Sequence, residues 1–447
     1  MQEHMSSDPP GVKDEDAEKV SIPNVALNLS NAIIGAGIVG LPYALKEAGF
    51  GLGLVLLCLM AFVTDYSIGC LIGSAAAARA KSYDALARSA LGPVGEISVI
   101  FGQFVFDYGA ALSYLIILGD TSESVVQFAL RRHVPGSREV CIAALSLAML
   151  PLCLLRDIAK LEACAFLSIV SVSVVTVAII AKLAMREHPP TDALQFANAR
   201  DPLGCFQALG IFSFAFVCQD SVFLFYNTLR DNTPARFKRV SALALGASAL
   251  YTVVIAAAGF LAFRGDTEAN ILNNYDVRDY SAVVMRAFYA ATMMCTYPTT
   301  VFVCRQAGHA LLLLSTARGA TLEADVANVS RTRHIAYSCS IWLTTVVIAL
   351  LTKKLGVVMS LTGNIAGSLL GFVLPGLIAL KKGSSSGSLN HDLDDDDDDD
   401  LVDGLLAQAH ERRASKTWLA AKGGPWFLVL FGIFSGILGV ATTFVSS

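Results

Sequence analysis

Residues 31–44 read Asn31-Ala-Ile-Ile-Gly35-Ala-Gly37-Ile-Val-Gly40-Leu-Pro42-Tyr-Ala44, in the middle of a hydrophobic stretch long enough to span a bilayer. A membrane helix ordinarily avoids such a cluster. Gly35, Gly37 and Gly40 loosen the backbone, and Pro42 removes a hydrogen-bond donor. Unwound backbone at membrane depth is tolerated only where it is buried in protein or lines a cavity. Interrupted helices of this kind hold substrate and ion in many membrane carriers. One segment therefore points both to a class of protein and to the place where it works.

The rest of the composition agrees with a membrane location. The chain is 54% hydrophobic and 16% charged, against roughly 25% charged residues in a soluble domain. Mean hydropathy is +0.58. The formal net charge of −4 owes much to two acidic tracts, 14–18 and 392–400. No basic patch with interleaved aromatics suggests nucleic acid. The ten cysteines fall in or beside apolar stretches, and none forms a CxxC pair. They read as small buried hydrophobes, with no disulfide framework and no zinc site. Residues 1–20 lack the basic start and apolar core of a signal peptide, so the first membrane helix is expected to direct insertion.

Eleven apolar segments follow one another: 22–45, 51–74, 94–119, 138–155, 160–182, 203–228, 239–263, 281–314, 332–352, 355–380 and 424–446. The eighth is long and is expected to pass beyond the membrane at its inner end, near Arg305. Flanking these are an expected disordered tail, 1–20, and an acidic loop, 381–423, whose run Asp394–Asp400 cannot build a core. With the N-terminus in the cytosol, most of the 33 Lys and Arg fall on the inner side. That orientation obeys the positive-inside rule, although Arg131, Arg132 and Arg138 oppose it. The C-terminus is then outside, and no outer loop carries a glycosylation sequon.

The sixth segment holds Gln219, Asp220 and Ser221 inside an apolar run, so it too reads as interrupted. Segments one and six correspond if segments 1–5 (about 22–182) and 6–10 (about 203–380) are inverted repeats. A matched pair of interrupted segments is the strongest sequence pointer to a midplane site. The helix ends supply its chemistry. Free N–H groups of Gly35, Ala36, Gly37 and Ile38 can hold a carboxylate. Unpaired carbonyls near Ala32–Ile34 can hold a cation or an ammonium. An amino-acid zwitterion satisfies both. The bland alternative is that these glycines only pack helices together. Gly35-Ala-Gly37-Ile-Val-Gly40 also matches G-x-G-x-x-G, but no strand–turn–helix context surrounds it, so a dinucleotide fold is rejected.

In these residues the chain resembles the amino acid/auxin permease superfamily, and within it the sodium-coupled neutral amino acid transporters. The resemblance starts at Asn31–Tyr43. It continues through Ala48-Gly-Phe50 with Val63-Thr-Asp-Tyr66, Ser113-Tyr114 with Gly119-Asp120, and Leu150-Pro-Leu152 with Arg156-Asp-Ile-Ala-Lys-Leu161. Ser213-Phe-Ala-Phe-Val-Cys218, Thr296-Tyr-Pro298 with Arg305, and Thr362-Gly363 with Leu374-Pro-Gly376 complete it. The likeness covers about residues 22–380 and more weakly 424–446. It implies an all-α integral membrane fold of eleven transmembrane helices: a LeuT-like five-plus-five inverted-repeat core with helices 1 and 6 broken, and one extra helix at 424–447. It implies import of neutral amino acids driven by a cation, with Asn31 and Thr296 at the cation site, to which the helix-end reading adds the Ile34 carbonyl. For Asn31 an interhelical hydrogen bond, and for Thr296 a bond back to its own helix, are the plain alternatives.

The chain departs from its relatives at Gln219-Asp220 and at Asp107. An ionisable residue inside a span is costly and usually functional. Asp220 can face the substrate ammonium, bind the coupled cation or take up a proton. Asp107 can pair with a neighbouring span or face water. Tyr114, Ser213 and Phe216 are further candidates for the substrate site, while Phe212 and Phe214 read as core or lipid contacts. Arg156, Arg305 and the basic run 236–239 read as inner-interface residues. The outer cysteines that some relatives pair are missing.

The expectation is thus a monomeric carrier for a neutral amino acid in a lipid bilayer. It needs no cofactor, and its coupling ion is sodium, with a proton as the alternative. The plasma membrane is expected, with a lysosome or vacuole as the second choice. An amino-acid sensor with little flux is the rival from another class. No catalytic Ser/His/Asp, Cys/His or metal constellation argues for an enzyme.

Overall fold

The computed structural model describes residues 20–156, 163–185, 194–198, 201, 203–316, 330–388 and 402–445. Almost all of them are helical. The acidic run Asp394–Asp400 and most of the tail 1–20 lie outside the described residues.

The first apolar segment is two helices with a gap. Helix α1 (Ile22–Ile33) ends, a 3-10 turn runs over Ala36–Gly40, and α2 (Leu41–Ala48) resumes. The two halves are bent by 52°. The outer half therefore does not restart as an α-helix near Ile38. The tighter turn persists until Leu41, and Pro42, whose missing N–H costs nothing in a first turn, opens α2. Gly49 then turns the chain at φ +90°, a conformation that side chains resist, and α3 (Phe50–Ala78) runs back.

A short helix α4 (Tyr83–Leu91), capped by the Ser82 side chain, precedes the long α5 (Pro93–Leu130). Next come α6 (Ser137–Cys153) and α7 (Ala163–Ala184). The sixth apolar segment is again two helices, α8 (Gly204–Phe216) and α9 (Gln219–Thr228), separated at Val217 and Cys218. After them come α10 (Pro234–Phe263), α11 (Tyr280–Thr316) and α12 (Arg331–Leu351). The tenth segment starts as α13 (Leu355–Thr362), widens into π-helical turns over Gly363–Gly367 and Leu369–Val373, and continues as α14 (Leu374–Ser388). Helix α15 (Val402–Val445) closes the chain.

Among the described residues eight helical stretches are long and apolar enough to cross a membrane, or nine when the bent pair α1/α2 counts as one span. The remaining two expected segments coincide with α6, which is 17 residues long, and with α11, which carries buried Arg286 and Arg305.

Helices α5 and α11 pack along each other through the centre. The broken pair α8/α9 is the most deeply buried of the candidate spans, with 78% of its apolar window inside the bundle. Exposed backbone polar groups in a bilayer are costly, and burial is where an interrupted helix can stand. A stripe of small residues lets α8 approach: an added side chain on Gly363 would meet the Phe214 nitrogen at 2.7 Å, and one on Gly367 the Ser213 hydroxyl at 2.5 Å. On the other side of the same turns, α15 fits through Gly432 and Gly436. Van der Waals packing of small residues is what holds helices together in lipid.

Candidate functional site

The two breaks face each other. A side chain on Gly37 would stand 3.0 Å from both Cα and Cβ of Ala215, and 3.6 Å from the Phe214 ring. The 3-10 turn of the first break thus lies directly on the last turn of α8. Within that turn the Gly35 N–H donates to the Ile33 carbonyl at 2.9 Å, and the Ile38 N–H reaches the Gly35 carbonyl at 3.5 Å. The first bond spans only two residues and the second is at the limit of hydrogen-bond length, so both are weak competitors for a carboxylate. Ile34 ends α1 outside helical geometry, at φ −80° and ψ 61°, with its own N–H on the Ser30 carbonyl.

At the second break the Val217 N–H still bonds to Ser213, and α9 begins at Gln219. Gln219 is fully buried. Its Oε1 accepts from the Cys218 N–H at 3.1 Å, and its Nε2 donates to the Ser67 hydroxyl and to the Gly371 carbonyl, both at 3.4 Å. Ser67 also donates to the Gly371 carbonyl. The sequence marks Gln219 only as an oddity beside Asp220. Its role as the brace of the break becomes visible once α3 and the π-helical turns stand beside it. The regular spacing Gly363-x3-Gly367-x3-Gly371 was the available signal for that neighbour.

The substrate-side candidates gather on three elements. Ser213 is buried on α8 and its hydroxyl has no partner among the described residues. Phe216 is fully buried, and the Phe214 ring lies tilted against Phe106 of α5 at 5.6 Å between centroids. Tyr114 of α5 is half-buried and shares a hydrogen bond with Thr300 of α11. Asp220 is half-buried in the first turn of α9, bonded to Ser221. Asp107 of α5 is buried, and its carboxylate lies within electrostatic reach of Asp220.

The cation-side candidates are less gathered. Thr296 donates to the Thr292 carbonyl of its own helix at 2.9 Å. Asn31 is half-buried on α1, which packs chiefly on α10, α9 and α7, while α11 packs on α5, α7, α6 and α12. Of Ala36 the backbone alone is described.

Both ends of the bundle are tied. Lys46 of α2 donates to the Thr267 carbonyl at 3.0 Å, and the Asn198 amide caps the Lys46 and Glu47 carbonyls. At the opposite end buried Arg305 reaches the Cys153 and Leu155 carbonyls at 3.0 and 3.2 Å and the Ser338 hydroxyl at 2.8 Å.

Residues 18–388 match the family model described as transmembrane amino acid transporter protein. Among curated proteins, the chain is 33% identical to "Putative sodium-coupled neutral amino acid transporter 11" of Danio rerio over 375 residues, which is 81% of this chain and 79% of that one. It is 29% identical to "Amino acid transporter AVT6E" of Arabidopsis thaliana, covering 83% of this chain and 78% of that one. It is 25% identical to "Vacuolar amino acid transporter 2" of Saccharomyces cerevisiae, covering 81% and 76%.

Proposed function

The chain belongs to the transmembrane amino acid transporter family, and from that premise we propose that it is a secondary active symporter of neutral amino acids coupled to a cation, sodium first. It is an integral multi-pass membrane protein and not an enzyme. The proposal includes eleven membrane helices, a core at 21–380 made of two five-helix inverted repeats, an inner loop at 381–423 and an added helix at 424–447. It keeps the N-terminus in the cytosol and the C-terminus outside.

The observation that carries this reading is the contact of Gly37 with Ala215, which sets one interrupted helix on the other. In the proposed cycle the substrate carboxylate takes the amides of Gly35, Ala36, Gly37 and Ile38. Its ammonium lies toward Asp220, with Tyr114, Ser213 and Phe216 around it. Sodium takes Asn31, the Ile34 carbonyl and Thr296. Sodium and substrate each favour the same closed arrangement, and that shared preference is all that coupling requires. Opening toward the cytosol releases both.

The experiment is uptake of labelled neutral amino acids by cells carrying the protein, in sodium and in choline, with delivery to the membrane confirmed. Sodium-dependent uptake supports the reading, and specific binding without uptake replaces it with a sensor. A vacuolar relative, buried Asp107 and half-buried Asp220 favour a second reading, proton coupling in an acidic organelle. Uptake indifferent to choline but stimulated by acid selects it.

A further inference from the structure

Asp65 stands inside the second apolar segment and has no part in the proposed transport cycle. It lies half-buried midway along α3, and the Ser241 hydroxyl of α10 donates to its Oδ1 at 2.8 Å. The same hydroxyl also reaches the Lys238 carbonyl at 3.1 Å, so its single proton is divided. No other donor among the described residues reaches this carboxylate, which has room for about four hydrogen bonds. An ionisable group at membrane depth is costly and calls for a partner.

Beside it, between α3 and α10, lies a cavity of about 570 Å³, well within the range of small-molecule sites. Phe62, Ile68 and Phe237 form its apolar walls, and Asp65, Ser241 and Lys238 are polar members of its lining. Phe62 is 69% exposed, so the cavity opens on the outer wall of the bundle, where lipid stands. Gly69 keeps it open: a side-chain carbon added there meets no atom within 4 Å. Lys238 forms no ion pair among the described residues, although it shares the cavity with Asp65. An ammonium and a carboxylate that share a cavity without pairing are complementary to a ligand carrying both charges.

We propose that this cavity binds one phospholipid whose headgroup carries a primary amine. The amine donates to Asp65, the phosphate meets Lys238, and a chain lies along Phe62 toward the bilayer centre. Lys238 begins the last turn before the apolar run of α10, where a long cationic side chain reaches the headgroup level. Arg236 and Arg239 flank it and add to the positive field that draws a phosphate. A choline headgroup has no N–H to give Asp65. An acidic headgroup without an amine sets a negative charge against it, and a sterol brings only a hydroxyl. The site stands apart from the two helix breaks and does not rest on the transport reading.

The test is native mass spectrometry of the purified full-length chain, stripped of lipid in detergent. It is titrated with phosphatidylethanolamine, phosphatidylcholine and phosphatidylglycerol of identical chains, and with cholesterol. The native protein is expected to bind one phosphatidylethanolamine about tenfold more tightly than the other three, the gain of one charge-assisted hydrogen bond. Asp65→Asn loses the preference for phosphatidylethanolamine over phosphatidylcholine, and Lys238→Gln weakens all three phospholipids together. Gly69→Leu fills the cavity and blocks binding. Gly246→Leu, equally free of neighbours but outside the cavity, keeps it. Melting curves report whether each variant is folded, and phosphatidylethanolamine is expected to raise the melting temperature of the native protein and Gly246→Leu but not of Gly69→Leu. Equal affinity for the amine and choline lipids, undiminished binding in folded Gly69→Leu, or tighter binding of cholesterol overturns the proposal. So does a native protein that takes up no lipid, its cavity then being filled by another part of the chain.

Discussion

The Gln219 side chain bridges the second helix break to α3, its Nε2 3.4 Å from the Ser67 hydroxyl oxygen. The same amide takes the Cys218 N–H and donates to the Gly371 carbonyl. One buried residue thus joins the end of α8, the start of α9, α3 and the π-helical turns.

Replacing it by leucine keeps much of the volume but strands the Cys218 N–H. A buried group left without its partner costs about 1–3 kcal/mol. The melting temperature of detergent-purified Gln219→Leu is expected to fall by several degrees, and Gln219→Glu, which keeps an acceptor for Cys218, to fall less. Equal melting of Gln219→Leu and native protein would contradict this.

How much of this the sequence carries depends on the residue. The breaks at Ile34–Gly35 and Val217–Cys218 are legible because glycine, proline and polar residues interrupt otherwise continuous apolar runs. The exact restart is not: a glycine-rich segment can leave a break as a 3-10 turn or as an α-helix, and contact with Ala215 favours the tighter turn. Gln219 is legible as unusual, but its partners Ser67 and Gly371 are about 150 residues away on either side. Helix α4 passes unnoticed at the sequence level because its nine residues are too few to span a bilayer and carry Asp84 and Arg88. Thr296 is legible as a hydroxyl in a polar motif, and only the structure shows that hydroxyl on the Thr292 carbonyl.

Gly37 and Gly40 are expected to differ sharply. A methyl group on Gly37 meets the Ala215 backbone at 3.0 Å, which has no freedom to move without shifting α8. On Gly40 it meets the Met359 Cε at 2.8 Å and the sulfur at 3.0 Å, the far end of a flexible side chain that can swing aside. Gly37→Ala is expected to lose most uptake at normal surface delivery, and Gly40→Ala to keep most of it. The reverse order would remove the Gly37–Ala215 contact from the mechanism.

Arg305 holds the C-terminal end of α6 to α11 and α12 through three donors. Arg305→Met leaves the Cys153 and Leu155 carbonyls without these partners, at about 1–3 kcal/mol for each buried group. Arg305→Lys cannot match the fork of guanidinium donors. Both variants are expected to unfold at lower temperature, methionine before lysine, and to accumulate less at the membrane. Quantitative surface labelling with a melting curve tests this.

Asp279 lies between helices, paired with Lys182 and accepting from Ser281 and Ala282. Burial alone would raise its pKa, but these partners outweigh it and hold the carboxyl down from 3.8 to about 2. A depressed folded value means that the stabilisation is full above 3.8 and is lost as pH falls toward 2. Both groups are partly exposed, so the pair contributes about 1 kcal/mol or less. Asp279→Asn is expected to lower the melting temperature slightly at neutral pH and not at all near pH 2, checked by paired melts across that range. An equal loss at both ends would assign the effect to packing rather than charge.

In the proposed cycle the first break, with α11, binds a driving cation beside the amino acid. It is tested most directly by labelled amino-acid uptake in sodium and in choline for the native chain, Asn31→Ala, Thr296→Ala and Thr296→Ser, each corrected for surface protein. The account predicts uptake that requires sodium, is lost in both alanine variants and is retained in Thr296→Ser, whose hydroxyl remains. Uptake of equal size in choline, or alanine variants with unchanged sodium dependence, would contradict it.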